Sequence, residues 1–390
     1  MQAWRSFGWL IFFSGWFVAN APAAEREFRG AWVATVYNLD WPSKPGLPAA
    51  TQKAQLRALL DRAAELKLNA ILLQVRPASD ALYASTKEPW SEFLSGRAGL
   101  SPGYDPLAFA IAEAHQRGIE LHAWINPFRA ALSASQDLPS NHVAKKHPHW
   151  VRRFGKQLWL DPGEPAARDY VLDIVRDIVR RYNIDGVHID DYFYPYPLKP
   201  GVATFPDDAT WERYGVKSGL SRADWRRENI NDFVRSMYRV VKSTKPRVRV
   251  GISPFGIWRP GVPHTIRAGV DAYGQVFADS RKWLAEGWVD YLAPQLYWSI
   301  EPAAQSFPVL LDWWRAQSNG KSIWPGIATE RIGPKRPARE IARQIELTRR
   351  GTAFPGHIHW SMKALLRNQG GIDNLLEAGP YAEKADLPPR

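Results

Sequence analysis

Strand-like and helix-like stretches alternate eight times over ~330 residues of this chain, and few architectures accommodate that rhythm. Apolar β-prone runs are expected as strands at 29–36, 70–75, 119–125, 248–252, 291–297, 323–328 and 356–360, with an eighth ending at Asp190 and Asp191. Between them, helical spacing of apolar residues predicts helices over 51–66, 106–117, 166–182, 224–242, 275–286, 303–316 and 338–350. Leu56, Leu59, Leu60, Ala63 and Leu66 make the first of these amphipathic. The pattern predicts an α/β fold, a (β/α)8 TIM barrel enlarged by long βα loops. A doubly wound sheet is the competitor, but it normally opens with a glycine-rich turn. The first turn here reads Tyr37-Asn38-Leu39-Asp40-Trp41-Pro42.

Ahead of the barrel, residues 1–23 read as a signal peptide: Arg5 is the positive end, 7–18 the apolar stretch, and Ala21-Pro22-Ala23 the cleavage site. The barrel is expected over 24–363. A short helix and a frayed, charged, proline-rich tail follow over 364–390. The residues between strand three and the helix at 166 form a connection long enough to be a functional loop.

The chain has no cysteine, which excludes disulfides, thiol nucleophiles and lipid attachment through cysteine. A periplasmic or secreted location follows, with no membrane insertion after signal removal. The full chain's formal charge of +12 falls by one when Arg5 leaves, and a protein still strongly basic suits an anionic envelope polymer better than nucleic acid. The 19 Trp residues supply either core or sugar-stacking surface. Oligomeric state leaves no trace.

Chemistry concentrates where strand four ends, in Asp185-Gly186-Val187-His188-Ile189-Asp190-Asp191-Tyr192-Phe193-Tyr194-Pro195-Tyr196-Pro197. Side chains on a strand alternate, so Val187 and Ile189 face one side while His188 and Asp190 face the other. The C-terminal strand ends of a barrel converge on one face. That brings Asp190 and Asp191 together with Glu330 as candidate catalytic carboxylates, although Asp residues at a strand end also cap turns and Glu330 also suits a helix start. The same face gathers Arg76, Asn126, His188, Tyr192, Gln295, Tyr297, Trp298 and Trp360 as candidate sugar-binding groups. A metal site built from His188, Asp190, His357 and His359 is a weaker alternative, because strand one carries Gly30-Ala31-Trp32 where such barrels usually place His-x-His. The favoured reading needs neither metal nor cofactor.

Five motifs, in order, carry a family likeness: Phe28-Arg29-Gly30-Ala31-Trp32-Val33, Gln74-Val75-Arg76-Pro77, Ala123-Trp124-Ile125-Asn126-Pro127, Asp185 to Tyr192, and Ala293-Pro294-Gln295-Leu296-Tyr297-Trp298. They resemble the glycosyl-hydrolase-like family 10 over nearly the whole chain beyond the signal. The resemblance implies an envelope glycosidase acting on an amino-sugar polymer, most specifically peptidoglycan glycan strands freed of stem peptides. Members of one branch of that family, the divisome-localised glycosyl hydrolase type, are often lipoproteins, and this cysteine-free chain departs from them. Asp-Gly-x-x-Ile-Asp is also similar to strand four of glycoside hydrolase family 18, whose catalytic Glu would fall on Tyr192, leaving Asp191 as the substitute acid. A barrel that grips glycan without cutting it is the second functional class. A working carboxyl pair stands about 5 Å apart for retention or roughly 6.5–9.5 Å for inversion.

Overall fold

A computed structural model describes residues 26–198, 204–301 and 303–390. The expected signal peptide lies outside the described residues. Eight parallel segments make the barrel: β1 Phe28–Val33, β2 Ala70–Arg76, β3 Glu120–Ile125, β4 Gly186–Ile189, β5 Arg249–Ile252, β6 Tyr291–Leu292, β7 laddered as Ser322–Ile323 and Gly326–Ile327, and β8 Gly356–His359. One end of the sheet is Ser322–Ile323 against β6, and the other is Gly326–Ile327 against β8. These ends are consecutive pieces of one segment, so the ring closes through β7. The Trp324 N–H donates to the Leu292 carbonyl at 2.9 Å and the Ile358 N–H to the Pro325 carbonyl at 3.0 Å. Pro325 has no N–H to give, so it interrupts the ladder without ending the strand.

The seven long connecting helices are α1 Ala49–Glu65, α2 Pro106–Gln116, α3 Pro165–Arg181, α4 Arg222–Thr244, α5 Ser280–Ala285, α6 Phe307–Ala316 and α7 Ala338–Arg349. Proline begins α2 and α3, where its missing N–H costs nothing, and Asp105 caps α2 by accepting from the Ala108 N–H. The buried face of α1, Leu56, Leu59, Leu60 and Ala63, is the one its spacing marks out. Val187, Ile189, Val250 and Ile252 point outward into the layer between sheet and helices.

The opposite parity fills the barrel interior with Phe28, Trp32, Leu72, Trp124, Tyr291, Trp324 and Ile358. Large rings fit there because glycines stand opposite them. A Cβ on Gly186 would lie 2.5 Å from His122 Nδ1, and one on Gly251 would lie 1.9 Å from the Tyr291 ring. Side-chain alternation therefore sets large residues against none.

The long connection after β3 carries a sheet of its own: Arg129–Ala131, Gln157–Leu160 and Val151–Phe154 form an antiparallel three-stranded sheet. Its Trp159 indole donates to the Phe193 carbonyl at 2.8 Å, bracing the loop that leaves β4. One expectation needs correction: the C-terminal tail is not frayed. The Glu27 N–H donates to the Asp386 carbonyl at 2.9 Å, and Arg390 pairs with Glu120 and Asp185, each at 2.6 Å. Those carboxylates sit at the N-terminal ends of β3 and β4, and a basic tail neutralises them. Among the described residues, no helix is long and apolar enough to cross a membrane.

Gly251→Ala tests the interior packing. Its Cβ must displace the Tyr291 ring, so stability should fall by about 3 kcal/mol, read as a lower denaturant midpoint. An unchanged midpoint would show that the interior is looser than described.

Candidate active site

At the C-terminal face of the barrel lies a cavity of about 350 Å³. Trp32 of β1, Trp124 of β3 and Trp360 beyond β8 contribute aromatic surface, joined by Tyr297. Trp360 packs edge-on against Trp32 and Trp124, both at 6.0 Å between ring centroids. Asp190 and Asp191 enter from β4, Ser253 and Phe255 from β5, Gln295 from β6, and Glu330 with Arg331 from β7. Tyr192 and Tyr196 complete the wall from the loop after β4. Carboxylates thus face flat apolar rings across a space of sugar-ring scale.

Asp190 keeps the inward parity of β4 and is 4% exposed. The Trp124 indole donates to its Oδ2 at 3.1 Å, the Asn126 amide donates to the same oxygen, and the Tyr192 N–H reaches Oδ1 at 3.4 Å. Asn126 is itself held: the Gln74 amide donates to Asn126 Oδ1, while Gln74 Oε1 accepts the Thr35 and Val36 N–H groups at 3.0 and 2.9 Å. Strands one to three are thereby tied to the orientation of one carboxylate. Burial pushes Asp190 above the ordinary carboxylate range, while Arg129 and these donors favour its anion.

Asp191 would point outward on a continued strand. The chain instead turns after Ile189, with the Phe193 N–H donating to the Asp191 carbonyl at 3.0 Å, and both carboxyls reach the cavity. The Tyr196 hydroxyl and the Gln295 amide donate to Asp191. Burial first, and then the neighbouring Asp190 charge, raise its pKa to about 7. Neighbours have separated two chemically identical groups: Asp190 has Arg129 as well as its donors to favour the anion, while Asp191 has donors but faces the Asp190 charge, which disposes it to keep its proton. Glu330, on the rim, is raised by burial to a smaller degree, and its N–H donates to the Trp360 carbonyl at 2.9 Å.

Of the residues singled out from sequence, Asp190, Asp191, Glu330, Tyr192, Gln295, Tyr297 and Trp360 line the cavity. Four others do not. Arg76 is fully buried in an ion pair with Glu88 at 2.6 Å, so it holds the scaffold where a sugar contact was expected. Asn126 acts on Asp190, and His188 lies beneath the cavity floor. Trp298 has the outward parity and packs on Phe255 at 5.7 Å. The alternative metal set does not meet, because His357 and His359 face outward to the Tyr381 hydroxyl while His188 and Asp190 face inward. Trp32, Trp124, Tyr196, Ser253, Phe255 and Arg331 line the cavity without having been assigned a role there. The parity that selected Asp190 would have selected Trp32, Trp124 and Ser253 too.

The profile of the family described as glycosyl hydrolase-like 10 matches residues 27–340. The chain belongs to the glycosyl hydrolase-like 10 family. This family member is 42% identical over 385 residues to glycosyl hydrolase YngK of Bacillus subtilis, covering 95% of this chain and 75% of the relative. It is 36% identical over 339 residues to glycosyl hydrolase DigH of Escherichia coli K12, covering 81% and 76%. Among solved structures, the glycoside hydrolase domain of PgaB (BpsB) from Bordetella bronchiseptica is similar, with a TM-score of 0.58, 15% identity and coverage of 90% of this chain and 99% of that one. The β-amylase catalytic domain of Paenibacillus polymyxa gives a TM-score of 0.58 at 12% identity, covering 89% and 95%. These likenesses agree with the barrel fold described above.

The Asp191 environment predicts a pH-dependent stability. Its pKa of about 7 in the folded protein lies well above the ~3.9 of an unfolded Asp. The folded chain therefore holds a proton that the unfolded chain has lost, and stability falls as pH rises through that window. The Asp191→Asn protein should gain melting temperature relative to the unsubstituted protein from about pH 4 to about pH 7, by several degrees in all. A difference that ignored pH would show an unperturbed carboxyl.

Proposed function

We propose that this glycosyl hydrolase-like 10 member is an exported glycoside hydrolase that cleaves an amino-sugar polymer, specifically the glycan strands of peptidoglycan. The observation that carries the reading is the pair Asp190 and Asp191, adjacent in sequence and dissimilar in surroundings, in an aromatic cavity at the barrel mouth. Asp191, with its pKa of about 7, serves as the acid that protonates the departing glycosidic oxygen. Asp190, fixed by Asn126 and Trp124, remains the anion beside the anomeric carbon as positive charge develops there. Water then adds to that carbon and returns a proton to Asp191, which restores the starting state.

Glu330 is the weaker candidate for the acid, since it stands at the exposed rim, and it is assigned to binding sugar hydroxyls there. Trp360 and Tyr297 offer flat faces to the C–H side of pyranose rings. Tyr192 and Gln295 supply polar contacts. The net charge of +12 favours approach to an anionic cell-wall polymer, and the family resemblance supports peptidoglycan as that polymer. A barrel that only binds glycan has no use for a carboxyl held near neutrality beside a second one, which is why hydrolysis is preferred.

Purified protein incubated with intact and with amidase-treated sacculi should release glycan fragments, identified by mass spectrometry, preferentially from the peptide-free material. Asp190→Asn preserves shape and removes charge, so the rate should fall by about 10³-fold or more while the melting temperature changes little. Full activity in that variant would remove Asp190 from the mechanism, and binding without release would favour the non-catalytic reading. The alkaline limb of kcat/KM should lie near pH 7, the value to which Asp191 is raised, since activity requires its proton.

A further inference from the structure

A continuous line of hydrogen-bonded side chains runs through the barrel interior from its N-terminal end to the cavity floor. Glu120 Oε2 lies 3.1 Å from His122 Nε2, and His122 Nδ1 lies 2.9 Å from the Tyr291 hydroxyl. That hydroxyl is 3.1 Å from His188 Nδ1, and His188 Nε2 is 3.0 Å from Ser253 Oγ. The Trp32 indole donates to the same His188 nitrogen at 3.2 Å. His122, His188, Tyr291 and Ser253 are all buried, and only Ser253 and Trp32 reach the cavity.

The ends of this line fix its direction. An indole has only a proton to give, so His188 Nε2 accepts, and a neutral His188 carries its proton on Nδ1. Nδ1–H donates to Tyr291, Tyr291 donates to His122 Nδ1, and His122 Nε2–H donates to the carboxylate of Glu120. A carboxylate can only accept, so both ends dictate the same polarity. Glu120 is anchored at the far end by Arg390 at 2.6 Å and lies 3.5 Å from Arg249. Burial works against its charge, but the His122 bond and the surrounding cations hold its pKa down at about 2. Gly186 and Gly251 clear the volume that the His122 and Tyr291 rings occupy.

Ser253 has one proton. His188 Nε2 carries no proton and cannot donate to Ser253, so the 3.0 Å contact is a donation from the serine, which shares the one Nε2 lone pair with the Trp32 N–H and leaves the serine lone pairs facing the cavity. We propose that Glu120, His122, Tyr291 and His188 are positioning residues that make Ser253 an obligate hydrogen-bond acceptor, selecting a sugar hydroxyl or N-acetyl amide N–H in the cavity. The ligand class rests on the proposed glycan function, whereas the direction of the line does not.

Two measurements test this. In full-length protein labelled with ¹⁵N-histidine, long-range ¹H–¹⁵N spectra at neutral pH, assigned by substituting histidines singly, should show His188 protonated on Nδ1 and His122 on Nε2. Either residue in the opposite tautomer, or as imidazolium, overturns the proposal. The second measurement is a double-mutant cycle. Tyr291→Phe keeps the ring over Gly251 and removes the central hydroxyl, loosening the His188 imidazole that receives the serine proton. It should lower kcat/KM by about tenfold in the native background and leave it unchanged in Ser253→Ala. Equal losses in both backgrounds would show a purely structural role and overturn the proposal. The tautomer spectra need no substrate, so a protein that cut no glycan would end the proposed function while this test still stood.

Discussion

A closed ring of eight strands encloses a fixed volume, and what the chain places in that volume decides the rest of the structure. Because β7 pairs with β6 through one half and with β8 through the other, the ring has no edge along which to relax. Each inward side chain must then match the one opposite in size. Phe28 stacks on Trp324 at 4.0 Å between centroids, Tyr291 occupies the place a Cβ would take on Gly251, and His122 does the same above Gly186. The glycines of strands four and five are the condition for filling the interior with rings that also carry polar atoms.

That choice of filling links packing to chemistry. An all-aliphatic interior would close the barrel equally well but could hold nothing in orientation. Rings with one polar atom each can bond upward, and the layer above inherits their geometry. Asn126, held by Gln74, and Trp124 converge on Asp190 in this way, so the carboxylate's direction is set by two strands other than its own. The neighbouring Asp191 owes its place to a turn, and its donors come from Tyr196 and Gln295, with no member in common. Two adjacent residues are thus solvated by separate parts of the protein, and burial followed by the Asp190 charge raises Asp191 against its own donors.

Parity was the legible part. From sequence it separates Val187 and Ile189 from His188 and Asp190, and it correctly sends Trp360 and Gln295 to the cavity. It fails where depth matters. His188 sits one layer too low, beneath Trp32, and a register shift between Gln74 and Arg76 turns Arg76 out of the barrel to pair with Glu88. Nothing in a strand's own residues states how far below the rim it stops, since that depends on neighbours and on the shear of the ring. Trp298 shows the converse, because a strand that continued its alternation past Tyr297 sends it outward against Phe255. The tail failed for another reason. Its prolines and charges carry the composition of a disordered segment, and the carboxylates of Glu120 and Asp185, far away in sequence, give it a docking site.

The docked tail also clarifies how the two ends of the barrel divide their tasks. At the N-terminal end, carboxylates meet abundant cations: Glu27 has Arg29 at 2.7 Å and Arg349 at 2.8 Å, and Glu120 has Arg390 at 2.6 Å. Each carboxylate there is matched by a cation. At the C-terminal end the balance is reversed. Asp190 and Asp191 lie together with Arg129 as the one cation among the groups that shift Asp190, and none among those that shift Asp191. Two buried acids with too little positive charge must share the deficit by keeping a proton between them. Withholding a counter-charge at one end and supplying it at the other is how a chain with so many Lys and Arg residues still retains a group that can give up a proton near neutrality.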